Sequence, residues 1–271
     1  MKSQPAIGFI GAGNMGAALI RGVLDAHITS PQNVWAADVA AEKLAVLQAE
    51  LHIQTTASNP EVLRRCNVVV LAIKPQNMGN VLSEIASAAR AEHLFISIAA
   101  GIPTARIEAA LGNRPRVIRV MPNTPALIKC GASALARGKY ATPDDLTFAV
   151  RMFEAVGVAV TLEESLLDVV TGLTGSGPAY IFLMIESLIK AGVELGLKPT
   201  DAEQLVKQMV LGAARMASEL PQTPAQLREA VTSPRGTTFA GLQVLDKANY
   251  RDLISTAVKR ATERAKELAQ S

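Results

Sequence analysis

The sequence predicts an α/β fold, with a doubly wound parallel sheet in the N-terminal part and an all-helical C-terminal part. Short apolar runs alternate with helical patterns as far as Leu162, whereas helical patterns alone follow from Glu163. A glycine-rich segment, Gly-x-Gly-x-x-Gly, comes directly after the first apolar run. These observations predict two domains, residues 1–162 and residues 163–271.

The glycine-rich segment predicts a nucleotide site. The first predicted strand covers residues 6–10 and leads into Gly11, Gly13 and Gly16. At this spacing the first glycine permits a tight turn, the second lets the backbone approach a pyrophosphate, and the third lets the next helix pack closely. The second predicted strand ends in Asp38, about 20 positions later, where a carboxylate accepts hydrogen bonds from an adenine ribose. This pattern is typical of a Rossmann-type dinucleotide-binding domain.

Strands and helices continue to alternate after Asp38, which is typical of a parallel sheet covered on both faces. The predicted helices cover residues 17–24, 40–50, 77–90 and 104–111, and a short one begins at Asn59. The further predicted strands cover residues 53–56, 68–73, 94–99, 117–120, 132–136 and 158–162. Ligands of such sheets bind beyond the strand carboxyl ends, so we expect the loops after residues 10, 37, 73, 98 and 120 to converge on one crevice.

The C-terminal part shows helical patterns over residues 165–173, 178–195, 200–220, 224–231, 239–248 and 250–269. Within the second of these, Tyr180 to Ile185 is apolar on every side of the helix. A helix of this kind needs burial all round, and a domain of about a hundred residues has little core to provide it. We therefore expect a second subunit to cover it.

The composition of the chain indicates which classes of binding partner are expected. The net charge is +3, basic and acidic residues are interspersed, and aromatic residues make up 4% of the chain, so nucleic acid is not an expected partner. Cys66, Cys130, His27, His52 and His93 lack metal-ligand spacing, so we predict no metal site, reduced cysteines and solvated or capping histidines. There is no signal segment, and no apolar run approaches the ~20 residues of a membrane helix. We therefore expect a soluble, cytoplasmic protein without a membrane partner.

Two further segments indicate ligand chemistry. Gly172, Gly175 and Gly177 open a long helix whose N–H groups can hold an anion such as a carboxylate, while close helix packing is the alternative interpretation. Residues 231–238 join two helices and contain several hydroxyls, a proline and a glycine, which places Thr238 at a helix start. Helix capping is the structural explanation of this segment, and a hydroxyl facing a small anionic ligand is the functional one.

Six motifs occur in order along nearly the whole chain. They are Phe9-Ile10-Gly11-Ala12-Gly13-Asn14-Met15, Ala72-Ile73-Lys74-Pro75, Ser97-Ile98-Ala99-Ala100-Gly101, Met121-Pro122-Asn123-Thr124-Pro125, Gly175-Ser176-Gly177-Pro178-Ala179-Tyr180 and Ser233-Pro234-x-Gly236-Thr237-Thr238. Together they resemble the pyrroline-5-carboxylate reductase family. The resemblance implies an oxidoreductase that reduces the cyclic imine 1-pyrroline-5-carboxylate to L-proline with NADPH or NADH, the last step of proline biosynthesis. It also implies a helical dimerisation domain and a homodimer, often within a larger ring of dimers.

By position, the resemblance implies cofactor binding by Gly11, Ala12, Gly13, Asn14, Met15, Asn59, Ala72, Lys74, Pro75, Ala99, Ala100, Gly101, Met121 and Asn123, to which the ribose argument adds Asp38. Substrate binding is expected at Ser176, Gly177, Ser233, Gly236, Thr237 and Thr238, with Thr238 as the catalytic hydroxyl. A protonated imine already carries its proton on nitrogen, so the reaction needs positioning rather than a strong general base. Arg235 departs from the family pattern, which commonly has Gly, Ala or Asn there.

Two other functions remain open at this point. The chain resembles 3-hydroxyacid dehydrogenases at the glycines of their Gly-x-x-Gly-x-Gly-x-x-x-Lys motif, but it has Ile181 where they have the acid/base lysine. A nucleotide-sensing protein without turnover is the other alternative. For the cofactor, Asp38 would repel a 2′-phosphate and no arginine follows it closely, so we expect NADH to work at least as well as NADPH.

Overall fold

The computed structural model describes residues 4–270, and within them eight strands form one sheet. In chain order the strands are β1 (Ile7–Ile10), β2 (Val34–Ala37), β3 (Gln54–Thr56), β4 (Val68–Leu71), β5 (Leu94–Ser97), β6 (Arg116–Met121), β7 (Gly131–Arg137) and β8 (Gly157–Thr161). Their order across the sheet is β3-β2-β1-β4-β5-β6-β7-β8, which confirms the doubly wound prediction. Residues 1–3 and 271, at the ends of the two predicted domains, lie outside the described residues.

The last two strands change direction. β1 to β6 run parallel, whereas β7 pairs antiparallel with β6, and β8 runs parallel to β7. The prediction of a parallel sheet is therefore wrong for β7 and β8. Residues 122–130, which join β6 to β7, contain one short 3₁₀ helix, Thr124–Ile128, and are too few for the crossover that a parallel neighbour needs.

Helices cover both faces of the sheet. They are α1 (Asn14–Asp25), α2 (Ala41–Leu51), α3 (Asn59–Arg65), α4 (Met78–Ile85), α5 (Thr104–Leu111) and α6 (Pro143–Glu154). One apolar cluster joins the sheet to α1, α2 and α6, and a second joins it to α3, α4 and α5. β1 and β4 are buried along their whole length, so a ligand reaches this sheet at the strand ends.

The remaining elements are helical. They are α7 (Leu167–Val170), a π-helical turn (Thr171–Gly175), α8 (Gly177–Glu194), α9 (Pro199–Glu219), α10 (Pro224–Ala230), α11 (Thr237–Lys247) and α12 (Tyr250–Gln270). The chain forms two compact units, one running to Ser176 and resuming at Arg260, the other covering Gly177–Lys259. The end of α12 therefore belongs to the unit that contains the sheet, which the helical pattern of residues 250–269 did not indicate.

The second unit has almost no core of its own. Among its described residues, Ala202 is the single buried apolar side chain, while Ile181, Phe182 and Leu183 of α8 are 45%, 58% and 63% exposed. The helical stretch Glu164–Glu194 is long and apolar enough to cross a membrane by length and composition. The expectation that no apolar run approaches that length is therefore wrong, because the apolar residues of α7 and α8 are continuous through the π-helical turn between them, whereas the sequence patterns divide them into separate shorter segments. Many of the apolar residues of α8 are also exposed in this chain. Such a surface also fits a contact between subunits.

Candidate functional site

The turn after β1 has the geometry that its three glycines predict. Gly11 has a φ of +104°, and a Cβ there would lie 2.3 Å from the Ala72 carbonyl oxygen. A Cβ on Gly16 would lie 2.3 Å from the Gly11 carbonyl oxygen, so both positions exclude a side chain. Around Gly13, in contrast, a Cβ would meet nothing within 4 Å. The chain itself does not require glycine at position 13, whereas a pyrophosphate close to the backbone would.

Asp38 holds this turn. Its Oδ2 accepts the Ala12 N–H at 2.6 Å, and its Oδ1 accepts the Ala40 N–H at 2.9 Å. These bonds fix the carboxylate between the glycine turn and the start of α2. Since an ionised carboxylate accepts about four hydrogen bonds, capacity remains for the ribose hydroxyls proposed from the sequence.

A cavity of about 290 Å³ opens beside these residues. Its lining includes six of the predicted cofactor residues, namely Gly11, Gly13, Asp38, Asn59, Ala72 and Lys74. Asn59 donates from Nδ2 to Glu84 Oε2 at 2.7 Å, which orients its amide at the cavity wall. Lys43 and Asn77 also line the cavity and were missed from the sequence. Lys43 lies in the first turn of α2, shortly after Asp38. A basic residue at that distance from the ribose carboxylate was the sequence signal that could have identified it.

The loops after β5 and β6 lie further along the same strand ends, because β5 and β6 follow β4 in the sheet. Neither the segment Ala99–Gly101 nor Met121–Asn123 lines this cavity. Gly101 has a φ of +71°, and a Cβ there would lie 3.3 Å from the Ala269 backbone nitrogen, so the end of α12 packs directly on this loop. The expected convergence on one crevice is therefore seen for the loops after β1, β2 and β4.

The predicted anion segment forms a π-helical turn before α8. The Ser176 N–H donates to the Thr171 carbonyl at 2.9 Å, five residues back, which defines the turn. A Cβ on Gly175 would lie 2.6 Å from Met121 Cε, the end of a flexible side chain that packs closely on this glycine. Around Gly177 a Cβ would meet nothing within 4 Å. Met121 therefore packs against the first of these two glycines, whereas the second faces open space.

The hydroxyl-rich loop of residues 233–238 belongs to the second unit. The Gly236 N–H donates to the Ser233 carbonyl at 3.0 Å, closing a turn in which Arg235 has a φ of +59°. A Cβ on Gly236 would lie 2.2 Å from Ser233 Oγ, so a side chain there would displace the Ser233 hydroxyl. Helix α11 begins at Thr237, two residues earlier than predicted, and Thr238 therefore lies inside its first turn, exposed to solvent.

The cysteines and histidines form no second centre. Among residues 4–270, no group of three or more His, Cys, Asp or Glu side chains is arranged to hold a metal ion. Burial raises the pKa of the Cys66 thiol to about 12, which keeps it protonated and unreactive. His93 is buried rather than solvated. Its Nδ1 accepts the Arg90 N–H and its Nε2 contacts the Leu63 carbonyl at 3.0 Å, while desolvation lowers its pKa.

Two protein families match the chain. The family described as pyrroline-5-carboxylate reductase dimerisation matches residues 164–268, so a dimerisation domain is present. The family described as NADP oxidoreductase, coenzyme F420-dependent, matches residues 6–101, which contain the glycine turn and most of the cavity. The two matched segments agree with a nucleotide-binding sheet followed by a helical dimerisation domain.

Full-length relatives extend this result. The pyrroline-5-carboxylate reductase of Methanosarcina acetivorans is 47% identical over 270 residues, covering 100% of each chain. A solved pyrroline-5-carboxylate reductase from Coxiella burnetii has a TM-score of 0.93 and 37% identity, covering 99% of this chain and 100% of that chain. The Plasmodium falciparum pyrroline carboxylate reductase, solved with NADP bound, has a TM-score of 0.87 and 31% identity, covering 98% and 99%. The resemblance found in the six motifs is confirmed: the chain belongs to the pyrroline-5-carboxylate reductase family, oxidoreductases of proline biosynthesis.

Proposed function

We propose that this chain reduces the C=N bond of 1-pyrroline-5-carboxylate to give L-proline, with hydride from NADPH or NADH. One observation supports this most strongly. Gly13 faces an open cavity in which nothing in the chain explains its glycine, and the chain matches reductases of this name over its full length. The residues present therefore fit a dinucleotide whose pyrophosphate lies against Gly11 to Met15.

The reduced nicotinamide supplies hydride when bound, and the protein's task is to position the imine. Ala99 to Gly101 and Met121, on neighbouring loops at the strand carboxyl ends, would flank the nicotinamide. The hydroxyls of Ser176, Ser233 and Thr237, together with the chain at Gly177 and Gly236, are proposed to hold the substrate carboxylate. Thr238 offers its hydroxyl to the ring nitrogen, whose positive charge is lost as hydride arrives at the adjacent carbon. Only a hydrogen bond and a fixed orientation are needed at that nitrogen.

We propose that both nicotinamide cofactors are used. Asp38 has hydrogen-bonding capacity left for two ribose hydroxyls, which supports NADH. Lys43 and Lys74 line the same cavity and form no ion pair with any described residue, so they are available to a 2′-phosphate. The Plasmodium falciparum relative was solved with NADP bound, which supports NADPH.

The active form is proposed to be a homodimer joined through the helical unit, with larger rings of dimers as the family resemblance implies. A groove of about 610 Å³ runs along α8, α11 and α12, lined by Tyr180, Leu183, Met184, Leu188, Leu253 and Ile254 among others. Side chains of this kind, exposed in one chain, are typical of an obligate subunit contact. We propose that a second subunit, rather than lipid, covers them.

The proposed compartment is the cytoplasm. Cys66 is buried and Cys130 is exposed, and both are free thiols, which is typical of proteins in a reducing compartment. Fractionation of cells that express the tagged full-length chain tests this, and recovery in the membrane fraction would contradict it.

A cofactor-oxidation assay tests the proposed reaction. Adding 1-pyrroline-5-carboxylate to the protein with NADPH or NADH should cause loss of the reduced-nicotinamide absorbance. A 3-hydroxyacid with the oxidised cofactors serves as the control substrate, and it should give no reduction because Ile181 stands where a hydroxyacid dehydrogenase has lysine. If the absorbance stays unchanged with both NADPH and NADH, the protein is a nucleotide sensor. Turnover of the hydroxyacid would indicate a dehydrogenase.

A further inference from the structure

The Asn123 side chain makes two hydrogen bonds, both to backbone groups. It lies just after β6, in the loop that the sequence assigns to the nicotinamide. Its Oδ1 accepts the Ala132 N–H at 2.8 Å, and its Nδ2 donates to the Thr174 carbonyl at 3.1 Å. The two partners fix the amide orientation, because one is a donor and the other is an acceptor. The amide therefore connects the start of β7 to the π-helical turn.

The Thr174 carbonyl needs this donor. In an α-helix it would accept the N–H of the residue four positions later, but that residue is Pro178, which has no N–H. The Thr174 hydroxyl does not help this carbonyl, because it donates to the Val170 carbonyl at 3.2 Å. A partly buried carbonyl without a hydrogen-bond donor costs free energy of folding. Asn123 supplies the N–H that Pro178 lacks.

A second contact reaches the same turn from Met121, the last residue of β6. Met121 Cε lies 2.6 Å from the position that a Cβ of Gly175 would take, so this side chain packs closely on the glycine. Met121 and Asn123 thus contact Gly175 and Thr174, directly before Ser176 and Gly177. Neither Met121 nor Asn123 lines the cavity beside Gly13 and Asp38.

From these contacts we propose that Asn123 is a positioning residue for the substrate carboxylate rather than a cofactor ligand. It holds the π-helical turn so that the Ser176 hydroxyl and the first residue of α8, Gly177, are presented to the imine. This proposal rests on the function proposed above, because it needs Ser176 and Gly177 to bind that carboxylate. It predicts that loss of the Asn123 amide weakens substrate binding and leaves nucleotide binding unchanged.

Two variants separate the two hydrogen bonds. Asn123→Ala removes both, whereas Asn123→Asp keeps an acceptor for Ala132 and loses the donor to Thr174. Both should raise the KM for the imine by about three- to tenfold, the range expected for one lost hydrogen bond, with the Kd for NADPH within twofold of wild type. NADPH affinity is measured by its fluorescence. Binding of L-proline, measured by calorimetry, should weaken in parallel.

Thr142→Ala is the matched control. Thr142 caps α6 in a capping box with Asp145. It follows β7, which runs antiparallel to β6, so it lies at the amino ends of β1 to β6, away from the site. It should lower the melting temperature without changing either constant. If the Asn123 variants likewise lose stability but keep the wild-type KM, the residue is merely structural and the proposal is overturned. A raised Kd for NADPH with an unchanged imine KM would show that Asn123 binds the cofactor and would also overturn the proposal.

Met121→Ala gives a second test should the Asn123 variants fail to fold. It removes the packing contact on Gly175 and should raise the imine KM in the same direction. Because Met121 is also proposed to flank the nicotinamide, the Kd for NADPH is measured beside the KM and should stay within twofold of wild type. Failure of the proposed function is recognised separately, because wild-type protein would then show no oxidation of NADPH or NADH with the imine. In that event the calorimetric titration with L-proline still tests whether Asn123 shapes a carboxylate site.

Discussion

At the scale of single residues, the surroundings of Thr238 separate a chemical role from helix capping. The N-cap of α11 is Gly236, with no side-chain cap hydrogen bond, so the capping explanation of Thr238 is wrong. The Thr238 hydroxyl is exposed and hydrogen-bonds to no residue that the structure describes. Its removal should therefore cost little stability in the folded chain.

The first prediction is that Thr238→Ala lowers kcat more than it raises the KM for the imine. A contact that strengthens as the nitrogen loses its charge acts on the chemical step, and one neutral hydrogen bond is worth up to about tenfold in rate. Thr238→Ser keeps the hydroxyl and is the matched control. Steady-state kinetics and melting temperatures decide the matter, and a destabilised alanine variant with wild-type turnover would reject the catalytic assignment.

Arg235 occupies a backbone position that favours glycine. Its φ of +59° lies in the left-handed region, its side chain is exposed, and it pairs with no described acid. Arg235→Gly should therefore stabilise the fold by about 0.5–1 kcal/mol and leave the KM for the imine within twofold. Thermal melting and steady-state kinetics measure both. A clear rise in KM would show instead that the guanidinium pairs with the substrate carboxylate.

Asp38 and Lys43 should act on the two cofactors in opposite ways. Asp38→Ser removes a ribose acceptor worth about 1.5–3 kcal/mol and also a repulsion of the 2′-phosphate, so kcat/KM should fall more with NADH than with NADPH. Lys43→Ala is the matched variant and should affect NADPH more. If Asp38→Ser lowers both efficiencies equally, the carboxylate serves only to hold the Ala12 turn.

At the scale of elements, all eight strands could be predicted, and β1, β4 and β5 most directly, because a short apolar run indicates burial on both faces. β3 and β8 are not buried on both faces, and the alternation of strands with helices indicated them. Strand direction could not be predicted from these runs, because an apolar run reads the same in both directions. The connection 122–130 is too short for a parallel crossover, and its length indicated the antiparallel pairing of β7 with β6. The cofactor turn was predictable because Gly11 and Gly16 are required by local backbone geometry. The hydrogen bonds of Asn123 were not, because they join residues 123, 132 and 174, which only the folded chain brings together.

In the glycine turn, alanine at position 13 should affect nucleotide binding, and alanine at position 16 should affect stability. Gly13→Ala meets nothing in the chain, so the protein should fold with a stability loss of at most ~1 kcal/mol, as for alanine at a helix N-cap, while nucleotide affinity falls at least tenfold. Gly16→Ala meets the Gly11 carbonyl oxygen and should cost about 1–3 kcal/mol. Calorimetric titration with NADPH and thermal melting measure the two effects. Wild-type NADPH affinity in Gly13→Ala would place the pyrophosphate elsewhere.

At the scale of the whole molecule, the helical unit leaves an apolar surface exposed, which the proposed second subunit would cover. The helical unit has Ala202 as its one described buried apolar residue, and α8 exposes a row of large apolar side chains. The sequence predicted this from Tyr180 to Ile185, because a helix that is apolar all round cannot face water. It could not predict that the end of α12 rejoins the sheet unit, since helical periodicity does not report which neighbour a helix packs against.

The assembly prediction follows from that exposed row. The wild-type chain should sediment as a dimer or a larger multiple, and Leu183→Asp should weaken the association at least tenfold, because it places a charge in an apolar contact. Val46→Asp is the control, since Val46 is 61% exposed on α2, outside the helical unit. Sedimentation velocity over a range of concentrations measures this. A stable, active wild-type monomer at low concentration would contradict the proposed dimer.

The most direct measurement follows the hydride itself. NADPH or NADH carrying deuterium on the transferable position of the nicotinamide is incubated with the protein and 1-pyrroline-5-carboxylate, and the product is analysed by mass spectrometry. Direct transfer predicts L-proline with one deuterium, on the ring carbon formerly double-bonded to nitrogen, in a one-to-one ratio with the oxidised cofactor. Proline without the label, or cofactor binding with no proline formed, would contradict the central claim that this chain transfers hydride to the imine.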